Sequence, residues 1–175
     1  KYCPVPKSQG KGRNIMLEIS INKKSYKLEY SFESIKHKKL LKMMFDVMSG
    51  SYTAKKILQA GKDDEANSII ALFDGSADMV ADIPEICQIA FYAGLLENNP
   101  VSEEEAYDLM KQYMKENKIS FKKLYEDIRK CMEDDGFFDL SGLTETLEQA
   151  QTMQNEMEET EEKKVIPMDH QKKQK

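Results

Sequence analysis

Histidines, cysteines, clustered carboxylates and a run of lysines are the residues here that could do chemistry, and their spacing argues against most of it. Of the two histidines, His37 sits among lysines and His170 near the end of a polar C-terminal stretch. Neither has the Ser/His or Cys/His setting of a nucleophilic site, and no glycine-rich phosphate loop is present. The three cysteines, Cys3, Cys87 and Cys131, are far apart and form no zinc-type pair. An odd number of scattered cysteines reads most simply as reduced thiols in a cytoplasm. Glu133-Asp134-Asp135-Gly136 resembles part of a calcium loop, but a loop begun at Asp134 would put Asp139 where glycine is required. Glu103, Glu104 and Glu105 are better explained as the acidic first turn of a helix. The expectation is a protein that is not an enzyme and uses no metal or cofactor.

Lys36, Lys38, Lys39 and Lys42 are the remaining candidate, a basic helix face. One reading is a docking surface for nucleic acid or an acidic partner. The plainer one is a solvated face neutralised by the rest of the domain, and the charge balance favours it. Nine cations against four carboxylates give residues 16–61 a charge of +5, whereas eight against twenty-four give residues 62–160 a charge of −16. A chain of net charge −5 is a poor general binder of nucleic acid. No signal peptide or membrane-spanning run is visible, which places the protein inside a cell. The 11 methionines and absence of Trp suggest a soft helical core or an adaptable contact surface.

The elements that position these residues are mostly helical. Residues 83–96, IPEICQIAFYAGLL, are apolar on nearly every side, as a helix buried within a domain must be. Asp82 is expected to cap it, Pro84 to occupy its first turn and Asn98-Asn99-Pro100 to stop it. Before it, Leu17, Ile19 and Ile21 alternate with polar residues, as do Tyr26, Leu28 and Tyr30. The expected hairpin turns through Asn22-Lys23-Lys24-Ser25 and pairs Ile21 with Tyr26, Ile19 with Leu28 and Leu17 with Tyr30. A type I′ turn there would require positive φ at Lys23 or Lys24. Ser31 or Ser34 opens a helix with Ile35, Leu40, Leu41, Met44, Phe45 and Met48 on its apolar face, ended by Gly50. A short helix through Ala54, Ile57 and Leu58 is expected over 51–61. Asp63-Asp64-Glu65 starts another, carrying Ile69, Ile70, Leu72 and Phe73 and ending near Gly75.

After the central helix, Ser102 and Glu105 form a capping box for a helix carrying Ala106, Leu109, Met110 and Tyr113. Ser120 caps the next, with Phe121, Leu124, Tyr125, Ile128, Cys131 and Met132 on one stripe and Gly136 as terminator. From Leu140 a stripe of Leu140, Leu143, Leu147, Ala150, Gln154 and Met157 alternates three- and four-residue steps, as in a short heptad seam. It either docks on the core through its first half or binds a partner helix. Residues 151–175 reduce largely to Gln, Glu, Lys and Met and are expected to be a disordered tail. At the other end, Gly10-Lys11-Gly12-Arg13 is what the purine-rich codons of a ribosome-binding site would encode. Met16 is therefore expected to be the natural start, with residues 1–15 a translated leader or added arm without structure. The resulting fold class is mainly α with an N-terminal β-hairpin, one domain over 16–150.

The order of elements resembles the tail assembly chaperones of long-tailed bacteriophages and prophages of Gram-positive bacteria. The resemblance spans roughly Met16 to Ala150. It rests on Ile-x-Ile-Asn-x-Lys-x-Tyr-x-Leu at Ile19–Leu28, the apolar helix at Ile83–Leu96 and Ser102-Glu103-Glu104 opening the next helix. Relatives often have Gly where this chain has Lys23. The resemblance implies a non-enzymatic protein absent from the finished virion, working in the host bacterial cytoplasm. It would bind the tape measure protein, keep it soluble and support polymerisation of the tail tube protein around it. A longer form of itself, made by a ribosomal frameshift, is a further implied partner. Leu140, Leu143, Leu147 and Met157 are the expected client contacts. The alternative function is a nucleic-acid-associated regulator acting through Lys36, Lys38, Lys39 and Lys42.

Overall fold

Asn22 and Lys23 both take positive φ, 51° and 65°, and so make a two-residue turn of the I′ type that matches strand twist. They join β1 (Leu17–Ile21) to β2 (Lys24–Leu28) in an antiparallel pair. The computed structural model describes residues 17–52, 54 and 65–164, with side chains from 69 to 153 in the last stretch. The expected leader, most of the helix expected over 51–61, Cys3, His170 and residues 165–175 lie outside the described residues.

The observed register is Leu17 with Leu28, Ile19 with Tyr26 and Ile21 with Lys24. This corrects the expected four-residue turn and its register. The difference is two residues, and side chains alternate with period two, so the inward face is unchanged. Ile19, Ile21 and Leu28 are buried as the alternation required.

Helix α1 (Phe32–Ile35) is a single turn, and α2 (Lys38–Met48) follows it. Ser34 is buried inside α1 rather than capping a longer helix, and its Oγ donates to Ala93 O at 3.0 Å. Leu40, Met43 and Met44 are the buried face of α2, and Gly50 ends it with φ 67°.

The largest departure is α3. It runs without interruption from Glu65 to Leu95, 31 residues with Pro84 inside, a length of about 46 Å. Two separate helices were expected, one ending near Gly75 and one capped by Asp82. Instead Gly75 and Pro84 are both helical interior positions. Each carries a known penalty there, about 1 kcal/mol for glycine and about 3 kcal/mol for proline. Burial of Ile83, Ile86, Cys87, Ala90, Phe91, Ala93 and Leu95 opposes that cost over the second half. Asp82 does not cap a helix; its carboxylate accepts the Tyr52 hydroxyl at 2.7 Å.

Around this half the remaining elements assemble. The hairpin docks through Tyr30, whose hydroxyl donates to Ala90 O at 3.1 Å and whose ring meets Phe137 edge-on at 5.9 Å. Glu29 N donates to Gly94 O at 2.9 Å. Gly94 is needed here because a Cβ would lie 3.0 Å from Tyr30 Cζ and 3.1 Å from a Leu28 methyl. Asn98 and Asn99, expected only to stop the helix, also clamp β2. Asn98 Nδ2 donates to the Glu29 carboxylate at 2.9 Å, and Asn99 Oδ1 accepts Lys27 N at 3.0 Å. The amide of Asn98, with Lys27, holds the Glu29 carboxyl below its ordinary value.

Helices α4 (Glu103–Asn117) and α5 (Phe121–Asp134) begin at the expected serines. Ser102 Oγ accepts Glu105 N and Ser120 Oγ accepts Lys123 N, each at 3.2 Å. Their apolar residues Ala106, Met110, Leu124, Ile128, Cys131 and Met132 close the core over α3. Gly136, φ 71°, turns the chain into the one-turn helix α6 (Phe137–Leu140). Then α7 runs from Leu143 to Lys164. Residues 151–164 therefore continue a helix where irregular chain was expected. Glu, Gln, Lys and Met all propagate a helix well once packing has nucleated its first turns. Among the described residues the fold is thus mainly α with an N-terminal hairpin. No helix among the described residues is long and apolar enough to cross a membrane.

Candidate functional site

The expected client stripe is divided by the structure. Leu140 ends α6 and is 45% exposed, whereas Leu143 starts α7 and is buried in the core. Gly142, with φ 76°, breaks the helix between them, so the two do not belong to one helical seam. Leu147 is half-buried, and Met157 lies on α7 with its side chain outside the described residues. The spacing was regular, but a glycine with positive φ resets the helical phase.

The four lysines do share a surface. Lys36, Lys38, Lys39 and Lys42 are all exposed. Lys36 pairs with Glu33 at 2.5 Å, and Lys39 pairs with Glu85 on α3. Two of the four thus have carboxylate partners within the chain. Beside them His37 packs edge-on against Tyr92, centroids 5.2 Å apart, at the rim of a cleft of about 230 Å³. Lys39, Glu85, Gln88 and Glu103 complete its polar lining. None of these groups is a serine, threonine or cysteine that His37 could activate.

Elsewhere the reactive groups serve the fold. Asp135, part of the calcium-loop pattern, accepts Tyr30 N at 2.8 Å, and Asp139 accepts the Thr144 hydroxyl at 2.7 Å. Cys87 and Cys131 are free and buried, and desolvation pushes both thiols up to about 12. Such thiols are poor nucleophiles at neutral pH. Among the described residues, no group of three His, Cys, Asp or Glu could hold a metal ion.

What the sequence reading missed is the first half of α3. Ile69, Ile70, Leu72, Phe73 and Val80 are all exposed, Phe73 to 70% and Val80 to 63%. Scattered apolar surface residues need no explanation, but five large ones within about three turns of one helix make a patch of the kind that binds. Ile69, Phe73, Ser76 and Val80 follow alternating steps of four and three. The same steps continue through Ile83, Cys87, Ala90 and Gly94, all buried. One face of one helix is therefore core in its second half and bare in its first. The signal was present in the spacing, but reading Gly75 as a stop and Asp82-Pro84 as a start cut it in two.

No protein-family model, curated protein or solved structure matches the chain.

Proposed function

We propose that this chain is a non-enzymatic tail assembly chaperone of a long-tailed bacteriophage or prophage, working in the host bacterial cytoplasm. It would bind the tape measure protein, keep it soluble and support tail tube polymerisation around it. The order of elements and the short patterns at Ile19–Leu28, Ile83–Leu96 and Ser102–Glu104 suggest the family. The observation that carries the reading is the bare apolar face of α3 on a helix whose other half is anchored in the core. A long helical client rich in apolar stripes aggregates before assembly unless those stripes are covered. A rigid helix presenting Ile69, Phe73 and Val80 can cover one without paying to order itself first. The nucleic-acid alternative is weakened by the carboxylate partners of Lys36 and Lys39.

The test is a pull-down with the tagged full chain from phage-producing cells, with partners read by mass spectrometry. Recovery of one very long, helix-rich phage protein is expected, together with soluble accumulation of that protein only when the two are co-expressed. Recovery of nucleic acid or host proteins alone would overturn the chaperone reading.

A further inference from the structure

The geometry points to the exposed half of α3 as a docking ridge for a basic amphipathic helix, one with an apolar heptad-like stripe flanked by Lys or Arg. The inference deepens the chaperone reading and rests on it in taking the occupant to be a segment of the client. Two observations carry it. The ridge of Ile69, Phe73 and Val80 continues the phase of the buried seam and has large side chains separated by the small Ser76 and Ala77. That alternation of knobs and gaps accepts a helix rather than a strand or a flat surface. The second observation is charge. Along residues 69–80 the helix carries Asp74 and Asp78 and not one Lys or Arg, while further on Asp82 accepts the Tyr52 hydroxyl and Glu85 is paired with Lys39. A second copy of the same ridge would set one acid-only helix against another, and like charges at close range oppose that pairing. A helix flanked by cations gains attraction and faster encounter at the same surface. The partner's apolar stripe would lie along Ile69, Phe73 and Val80, with its cations towards Asp74 at the edge beside Ile70.

The test uses two fluorescent helix-forming peptides with the same leucine stripe, one flanked by Lys and one by Glu, titrated with the full chain. The Lys-flanked peptide is expected to bind at least tenfold more tightly, with an affinity that falls as salt rises. Combining Ile69→Asp, Phe73→Asp and Val80→Asp should abolish binding while the thermal unfolding transition is retained, since these side chains lie outside the core. Asp74→Lys, a single exposed charge, should cut affinity for the Lys-flanked peptide several-fold and leave the fold intact. Equal affinity for both peptides, or binding indifferent to these substitutions, would overturn the proposal. So would a concentration-dependent dimer in sedimentation that the triple substitution dissociates, because the ridge would then belong to a second copy. Capture of the tape measure protein by the triple variant would reject the ridge and keep the chaperone. Failure of the wild-type chain to capture it would reject the chaperone, with the peptide titration unaffected.

Discussion

Phe73 and Phe91 are the same residue on the same helix, eighteen positions or about five turns apart, and so point the same way. One is 70% exposed and the other fully buried. Ile69 and Cys87 repeat the contrast at the same spacing, with Ile69 57% exposed and Cys87 buried. The flanking sequence already differs, apolar on nearly every side around Phe91 but carrying Asp74, Ser76 and Asp78 around Phe73, and the rest of the chain packs on the first of these. The hairpin, α4 and α5 all close over residues 83–95, and the small residues Ala90, Ala93 and Gly94 let the hairpin approach the helix backbone. The first half of α3 carries larger exposed side chains on the same face, as a surface kept for another molecule would.

The sharpest way to break that comparison is to truncate both phenylalanines. Phe91→Ala is expected to lower unfolding stability by about 3–5 kcal/mol, whereas Phe73→Ala should stay within about 0.5 kcal/mol. Urea denaturation of the two variants measures both. A comparable loss from Phe73→Ala would mean that its surroundings are core after all.

Gly94→Ala comes next. The added Cβ meets the ring of Tyr30 and a methyl of Leu28, both packed between α3 and the hairpin with little room to retreat. Overpacking of this kind costs roughly 1–3 kcal/mol. Because the contact joins hairpin to helix, Tyr30 amide exchange should accelerate with the fall in stability. An unchanged melting temperature would show that the hairpin can lift away from α3 without loss.

The thiols sharpen the contrast chemically. Cys87 lies on the buried seam and its thiol is pushed up to about 12 by burial, above an ordinary value of 9.0. Cys87 should therefore resist a thiol-modifying reagent at pH 8 until the protein unfolds. Ser76→Cys, on the exposed part of the same seam, should react at once. The raised value also sets a pH dependence. Below pH 9 the thiol is protonated in both folded and unfolded chains and stability is full. Above pH 9 only the unfolded chain releases the proton, so stability falls progressively between about pH 9 and pH 12. Rapid labelling of Cys87 in the native state would contradict its burial.

Much of this was legible from local chemistry. Ser102 and Ser120 cap the helices they precede, and the apolar stripe of α5 is buried from Leu124 to Met132, with Phe121 half-buried at its start. Period-two alternation identified the inward face of the hairpin although the register was shifted. What sequence could not supply was the outcome of competition between a local signal and distant packing. Gly75 and Pro84 are helix breakers on intrinsic grounds, yet the helix passes through both while its second half anchors the core. Gly142 is the converse case. It interrupts a seam that looked continuous from Leu140 to Leu147, so Leu140 and Leu143 do not lie along one helix. The candidate surface on α3 was hidden by the same two breakers, since neither half alone revealed the change from bare to buried.

Lys23→Gly makes the smallest change and delivers it to the buried half alone. Lys23 holds φ 65° in the hairpin turn, a left-handed conformation that costs an L-residue with a Cβ roughly 1–2 kcal/mol. Glycine adopts it freely, although its greater freedom in the unfolded chain returns part of the gain. The expected net rise in stability is about 0.5–1 kcal/mol, read as a higher urea midpoint with an unchanged slope. Since the hairpin packs on residues 83–95, the added stability should appear in slower amide exchange of β1, β2 and the second half of α3. Residues 69–80 should exchange as before, because their opening does not require the hairpin to move. Equal slowing in both halves would mean that α3 opens only as a single unit, and the two halves would then differ in exposure but not in stability.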